Sequence, residues 1–113
     1  MEHHQPELDA VFHALADPTR RAVIGRLGQG PASISDLARP FDMALPSFMK
    51  HIRLLEQSGL IVTRKAGRVR TCAVEKSRLA ILDTWLADQR AVWEARTDRL
   101  EQFVTHDPRD KTR

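Results

Sequence analysis

A chain of 113 residues at 42% hydrophobic content is the size of one ordinary domain, able to bury a modest core. It has no run of 18 apolar residues to span a bilayer and no charged-then-apolar leader. Its single cysteine, Cys72, excludes an internal disulfide framework, so the expected setting is cytoplasmic, with no membrane partner. The formal net charge of +3 tilts the chain toward a polyanionic partner.

Residues 1–6 read as a flexible tail. Pro6 can open a first helix in which Leu8, Val11, Phe12 and Leu15 recur at helical spacing. Asp17 suits an N-cap and Pro18 the first position of a second helix, which turns Val23, Ile24 and Leu27 inward and is broken by Gly28, Gly30 and Pro31. Ser33-Ile34-Ser35-Asp36 resembles a capping box with Asp in place of Glu, opening a short helix through Leu37 and Ala38 that Pro40 ends. After the turn Phe41-Asp42-Met43, a fourth helix runs from Leu45 to Ser58 and stops at Gly59. Ala44 fills its cap position and cannot accept the exposed N–H groups, which leaves Asp42 or a phosphate of a polyanionic partner as substitutes.

Two strands follow, Leu60 to Lys65 and Val69 to Val74, joined as a hairpin through Gly67. Ser77 suits an N-cap for a last helix reaching about Val104, roughly 42 Å at 1.5 Å per residue. Residues 105–113 read as a second flexible tail. The expected fold is mainly α with a small β-hairpin wing, in the order α-α-α-α-β-β-α, its domain spanning residues 7–104.

Charge is not spread evenly over these elements. Residues 1–46 carry four Lys/Arg against six Asp/Glu, and residues 71–113 carry eight of each. Residues 47–70 carry six (Lys50, Arg53, Arg64, Lys65, Arg68 and Arg70) against Glu56 alone. A basic helix followed at once by a basic hairpin suits duplex DNA, the helix for the major groove and the hairpin for the flanking backbone.

Three stretches carry a family resemblance: Ala14-Leu15-Ala16-Asp17-Pro18-Thr19-Arg20-Arg21, then Ile34-Ser35-Asp36-Leu37-Ala38, then Leu45 through Ile61. In this order and spacing they resemble the ArsR/SmtB-like bacterial repressors over roughly residues 8–104. The resemblance implies a dimeric winged helix-turn-helix repressor on an operator of two half-sites. Arsenic-sensing members carry a Cys-x-Cys pair where this chain has Ile34-Ser35-Asp36-Leu37-Ala38, and zinc-sensing members an Asp-x-His pair where it has Asp83-Thr84-Trp85, with Arg96 in the later His region. The His3-His4 pair lacks partners. The expectation is therefore a branch with no metal and no cofactor.

On the fourth helix Phe48, Ile52 and Leu55 form the inward stripe, and Pro46, Met49, Lys50 and Arg53 project from the other side. Arg53 suits guanine edges or phosphate, and Met49 suits a thymine methyl. Ser47 reads as a phosphate donor or a helix-end contact, and His51 as a DNA contact or a hydrogen bond within the domain. Arg64, Lys65, Arg68 and Arg70 supply the wing, where charge on a hairpin edge also discourages strand-to-strand aggregation.

The last helix sets Leu79, Leu82, Leu86, Gln89, Trp93, Arg96, Leu100 and Phe103 at alternating spacings of three and four, six of the eight being apolar, and Trp85 and Val92 widen the stripe. Leu79, Leu82, Trp85, Leu86, Trp93, Leu100 and Phe103, together with Leu8, Val11, Phe12 and Leu15, form the expected dimer interface. Cys72 reads as a small buried filler. No nucleophile-elbow, P-loop or zinc-hydrolase motif is present, so the chain is not expected to be an enzyme. Two other readings stay open: an adaptor that has exchanged DNA for a protein partner, and a sensor gated by a small-molecule effector in the seam around Trp85 and Trp93.

Overall fold

A computed structural model of the chain describes residues 5–105, so the His3-His4 pair and most of both expected tails lie outside the described residues. The elements in chain order are α1 (Pro6–Leu15), α2 (Pro18–Leu27), β1 (Ala32–Ser33), α3 (Ile34–Ala38), α4 (Leu45–Gln57), β2 (Ile61–Ala66), β3 (Val69–Val74) and α5 (Lys76–Thr105). The chain divides into two compact units, residues 1–82 and 83–113.

Helix ends in the first unit follow the capping chemistry. Asp17 accepts the Arg20 backbone N–H at 3.0 Å, closing the start of α2, and Ser33 Oγ does the same for the Asp36 N–H at 3.1 Å on α3. The Arg20 N–H is also the main cause holding the Asp17 carboxyl below its ordinary 3.8. The stability this contributes is present above that value and lost as pH falls through the depressed one. Ala44 caps α4 with no side-chain bond, so Asp42 does not substitute. Pro46 softens the loss by removing one donor from the first turn. Ser77 is not an N-cap either: α5 starts one residue earlier, at Lys76, and the Ser77 hydroxyl donates to Glu75 Oε2 at 2.9 Å.

The stop after α4 is the sharpest local signal. Gly59, at φ +83°, donates its N–H to Glu56 O, and Leu60 donates to Leu55 O, the paired bonds of a Schellman turn. Leu55 and Leu60 are both fully buried, supplying the apolar contact that accompanies such a turn. Gly59→Ala is expected to cost about 1–2 kcal/mol, because a Cβ disfavours positive φ. An unchanged midpoint in urea unfolding would dismiss that role.

The sheet is antiparallel in the order β1-β3-β2. β1 adds to the expected element order: Ala32 pairs with Cys72 and Ser33 with Thr71. Two residues are too short for alternation to show, and their partners lie about forty positions away in sequence. The hairpin closes through Gly67-Arg68, with Ala66 opposite Val69 and a positive φ only at Gly67, as in a type II′ turn.

Phe48, Ile52 and Leu55 of α4 meet Leu60, Ile61, Val11 and Val23 in one core. Leu8 and Val11 are buried within the protomer itself, a correction to their expected place at a partner interface: helical spacing marks a covered face without saying what covers it. Leu15, Leu79 and Leu82 are half-buried against the same core, whereas Phe12 stays 41% exposed.

Cys72 is fully buried in that core, and burial raises its thiol above the ordinary 9.0, with Glu56 acting in the same direction. Because the folded value is raised, the thiol's contribution holds below the unfolded value and is lost as pH rises through the folded one. Iodoacetamide at about pH 8 is expected to label Cys72 only after denaturation. Rapid labelling of the native protein would contradict its burial.

The second unit, as far as it is described, is the run of α5 from Asp83. Its apolar side chains are largely uncovered: Leu86, Val92, Trp93, Leu100 and Phe103 are all exposed. Among the described residues no helix is long and apolar enough to cross a membrane.

Candidate nucleic-acid interface

Two short helices and a tight turn hold the basic helix in place. The turn leaves α3 at Arg39, which pairs with Asp36 at 2.7 Å. It brings Phe41 onto Phe48 with ring centroids 5.6 Å apart. Burial of Phe48, Ile52 and Leu55 then fixes the rotation of α4 about its axis, so Pro46, Ser47, Lys50 and Arg53 are all exposed. Met49 sits at the edge of that face, half-buried against the core.

The hairpin adds a second cationic element. Arg64, Lys65, Arg68 and Arg70 are all exposed. Glu56, the one acid in the segment, accepts the Thr63 hydroxyl at 2.9 Å, tying α4 to β2. The β1–β3 pairing brings Ser33 and Ser35 beside Arg68 and Arg70 in an open cleft of about 430 Å³. Hydroxyls next to two guanidinium groups suit a phosphodiester backbone. Sequence reasoning missed both serines in this role, because their nearness to the wing depends on the unforeseen strand.

Arg20 is the other residue sequence reasoning missed. Its Nε donates to Ala14 O at 2.7 Å, Nη2 to His13 O at 3.3 Å, and Nη1 lies 3.1 Å from His51 Nδ1. Arg21 donates to Leu15 O at 2.8 Å, so two adjacent arginines satisfy the carbonyls that end α1. His51 Nδ1 also lies 3.7 Å from Asp17 Oδ2. The only sequence signal was the Asp-Pro-Thr-Arg-Arg wording, whose long-range partner on α4 has no local signature.

On α5, Trp85, Leu86, Gln89, Arg90 and Trp93 line an open apolar groove of about 280 Å³. Among the described residues no three His, Cys, Asp or Glu side chains cluster to hold a metal ion.

A helix-turn-helix unit whose second helix leads into an antiparallel hairpin defines the winged helix-turn-helix class of domains. Residues 15–64 match the family described as a helix-turn-helix domain. HTH-type transcriptional regulator Rv2034 of Mycobacterium tuberculosis is 37% identical over 76 residues, 67% of this chain and 71% of that protein. Transcriptional repressor SdpR of Bacillus subtilis is 33% identical over 61 residues, 54% of this chain and 68% of SdpR. A crystal structure of an ArsR family transcriptional regulator is 61% identical, covers 83% of this chain and 97% of its own, and superposes with a TM-score of 0.77. The homodimeric winged helix-turn-helix DNA-binding domain of a Mycobacterium bovis protein, at 22% identity and a TM-score of 0.61 over 80% of this chain and 94% of that one, shares the fold. The chain belongs to the ArsR family of transcriptional regulators, which are not enzymes.

Proposed function

We propose that this regulator is a homodimeric repressor that binds a duplex operator of two half-sites. The observation that carries the reading is the exposure of all six cationic side chains of residues 47–70, with their one acidic neighbour engaged by Thr63. Lys50 and Arg53 would enter the major groove from α4 with Pro46, Ser47, Met49 and His51 around them. Arg64, Lys65, Arg68 and Arg70 would meet the flanking phosphates. Affinity would come chiefly from phosphate pairing and fall steeply with salt, while a few α4 side chains set the sequence read.

The second copy is argued from the apolar face of α5. Trp93, Leu100 and Phe103 are 70%, 64% and 77% exposed, an apolar load that water does not favour. Pairing of two such faces would join two copies, each bringing its own recognition helix, and a symmetric dimer of this class meets half-sites about one DNA turn, roughly 34 Å, apart. The homodimeric Mycobacterium bovis neighbour and the repressor SdpR support assembly and direction of regulation respectively.

Selection of bound fragments from genomic DNA, followed by footprinting, tests the reading. The expected product is a pair of inverted half-sites about one helical turn apart, bound by a particle of twice the chain mass. Salt-sensitive retention on heparin with no preferred sequence would instead favour an adaptor. The groove at Trp85 and Trp93 supports a second reading, an effector-gated regulator, for which ligand-dependent quenching of tryptophan fluorescence is the test.

A further inference from the structure

The bonds around His51 say more about the recognition helix than its exposed cations do. A guanidinium stays protonated and offers only donors, so a hydrogen bond across the 3.1 Å from Arg20 Nη1 to His51 Nδ1 takes Nδ1 as its acceptor, while Asp17 Oδ2, 3.7 Å from the same nitrogen, lies beyond hydrogen-bond distance. A neutral imidazole that accepts at Nδ1 carries its proton on Nε2. The same guanidinium is itself held by two carbonyls at the end of α1, Ala14 O at 2.7 Å and His13 O at 3.3 Å. The Arg20 backbone is pinned in turn by Asp17 Oδ2 at 3.0 Å. The imidazole is therefore clamped from one side by a donor with little freedom to move, on a side chain still 22% exposed.

We propose that Arg20 is a positioning residue for DNA recognition: it locks His51 in the Nε2–H tautomer, so that the imidazole meets the duplex as a neutral, pre-oriented donor to a phosphate oxygen. The inference rests on the DNA-binding reading above and adds a residue of α2 to it. His51 lies one turn after Ser47 on α4, and a donor there continues the polar edge that Ser47 begins. Pre-orientation matters because a side chain already held in its bound rotamer loses less freedom on binding. Lysine at position 20 would keep the charge but lack the planar fork that reaches two carbonyls and a ring nitrogen together.

Two measurements on the full chain test this. The first is long-range proton–nitrogen correlation NMR of the free protein under conditions where the ring is neutral, with His51 assigned by its loss in His51→Gln. The Nε2–H pattern is expected, and an Nδ1–H or tautomer-averaged pattern overturns the proposal without need of any Arg20 variant. The second is a double-mutant cycle on a duplex selected with the wild-type protein. Arg20→Met, checked for folding, is expected to weaken binding about tenfold beside His51 and less than twofold in a His51→Ala background. Arg20→Lys should recover only part of the loss. Equal losses in both backgrounds would make Arg20 a fold element alone and end the proposal. A wild-type protein that binds no duplex ends the DNA-binding reading and this inference together, whereas tight wild-type binding unaffected by Arg20→Met ends only the inference.

Discussion

Trp93→Glu is expected to reduce the mass seen in light scattering from two chains to one. It should also weaken binding to a two-site duplex by about 10²–10⁴-fold, the range lost when a second, linked binding event becomes independent. Trp93 is 70% exposed in the single chain, so the substitution has little to disturb within the protomer. Its effect falls on the proposed seam, where symmetry would bury two unpaired carboxylates in an apolar contact, at a cost of several kcal/mol each. A variant that stays dimeric would place the interface elsewhere. One that becomes monomeric yet binds as tightly would remove the two-half-site arrangement.

Arg53→Ala should leave the dimer intact and weaken operator binding by about thirtyfold or more. Each half-site would lose one guanidinium contact worth about 1–3 kcal/mol, and the dimer makes two of them. The pattern of loss tells base contact from phosphate contact. Relaxed preference at one base pair of each half-site marks groove readout, whereas a uniform loss with a shallower salt slope marks the backbone. Arg53 is exposed on α4, opposite the stripe of Phe48, Ile52 and Leu55, so unfolding is not the expected route of any loss. Unchanged affinity in a gel-shift titration would strike Arg53 from the interface.

How far the site could be read in advance depended on the range of each interaction. The caps at Asp17 and Ser33 and the stop at Gly59 involve groups within five residues of one another, and their chemistry is written in local order. The rotation of α4 followed from the 3.6-residue period alone, since burying Phe48, Ile52 and Leu55 leaves Lys50 and Arg53 outside. Arg20 could not be found the same way. Its contact with His51 spans 31 positions, and an arginine after a proline-led helix start has many surface roles.

The order of helices, the basic segment and the family resemblance belong to the one-dimensional string, because periodicity, end-caps and charge act between near neighbours. Three-dimensional packing decided which apolar stripes are spent inside the protomer: Val11 is fully covered by its own chain, while Trp93 and Phe103, at the same kind of spacing, are not. It also decided that Ala32 and Ser33 form a third strand and that a guanidinium from α2 grips the recognition helix. The reason is common to all three. A pattern of residues states that a surface wants cover or a donor wants an acceptor, and only the path of the whole chain determines which distant group arrives to supply it.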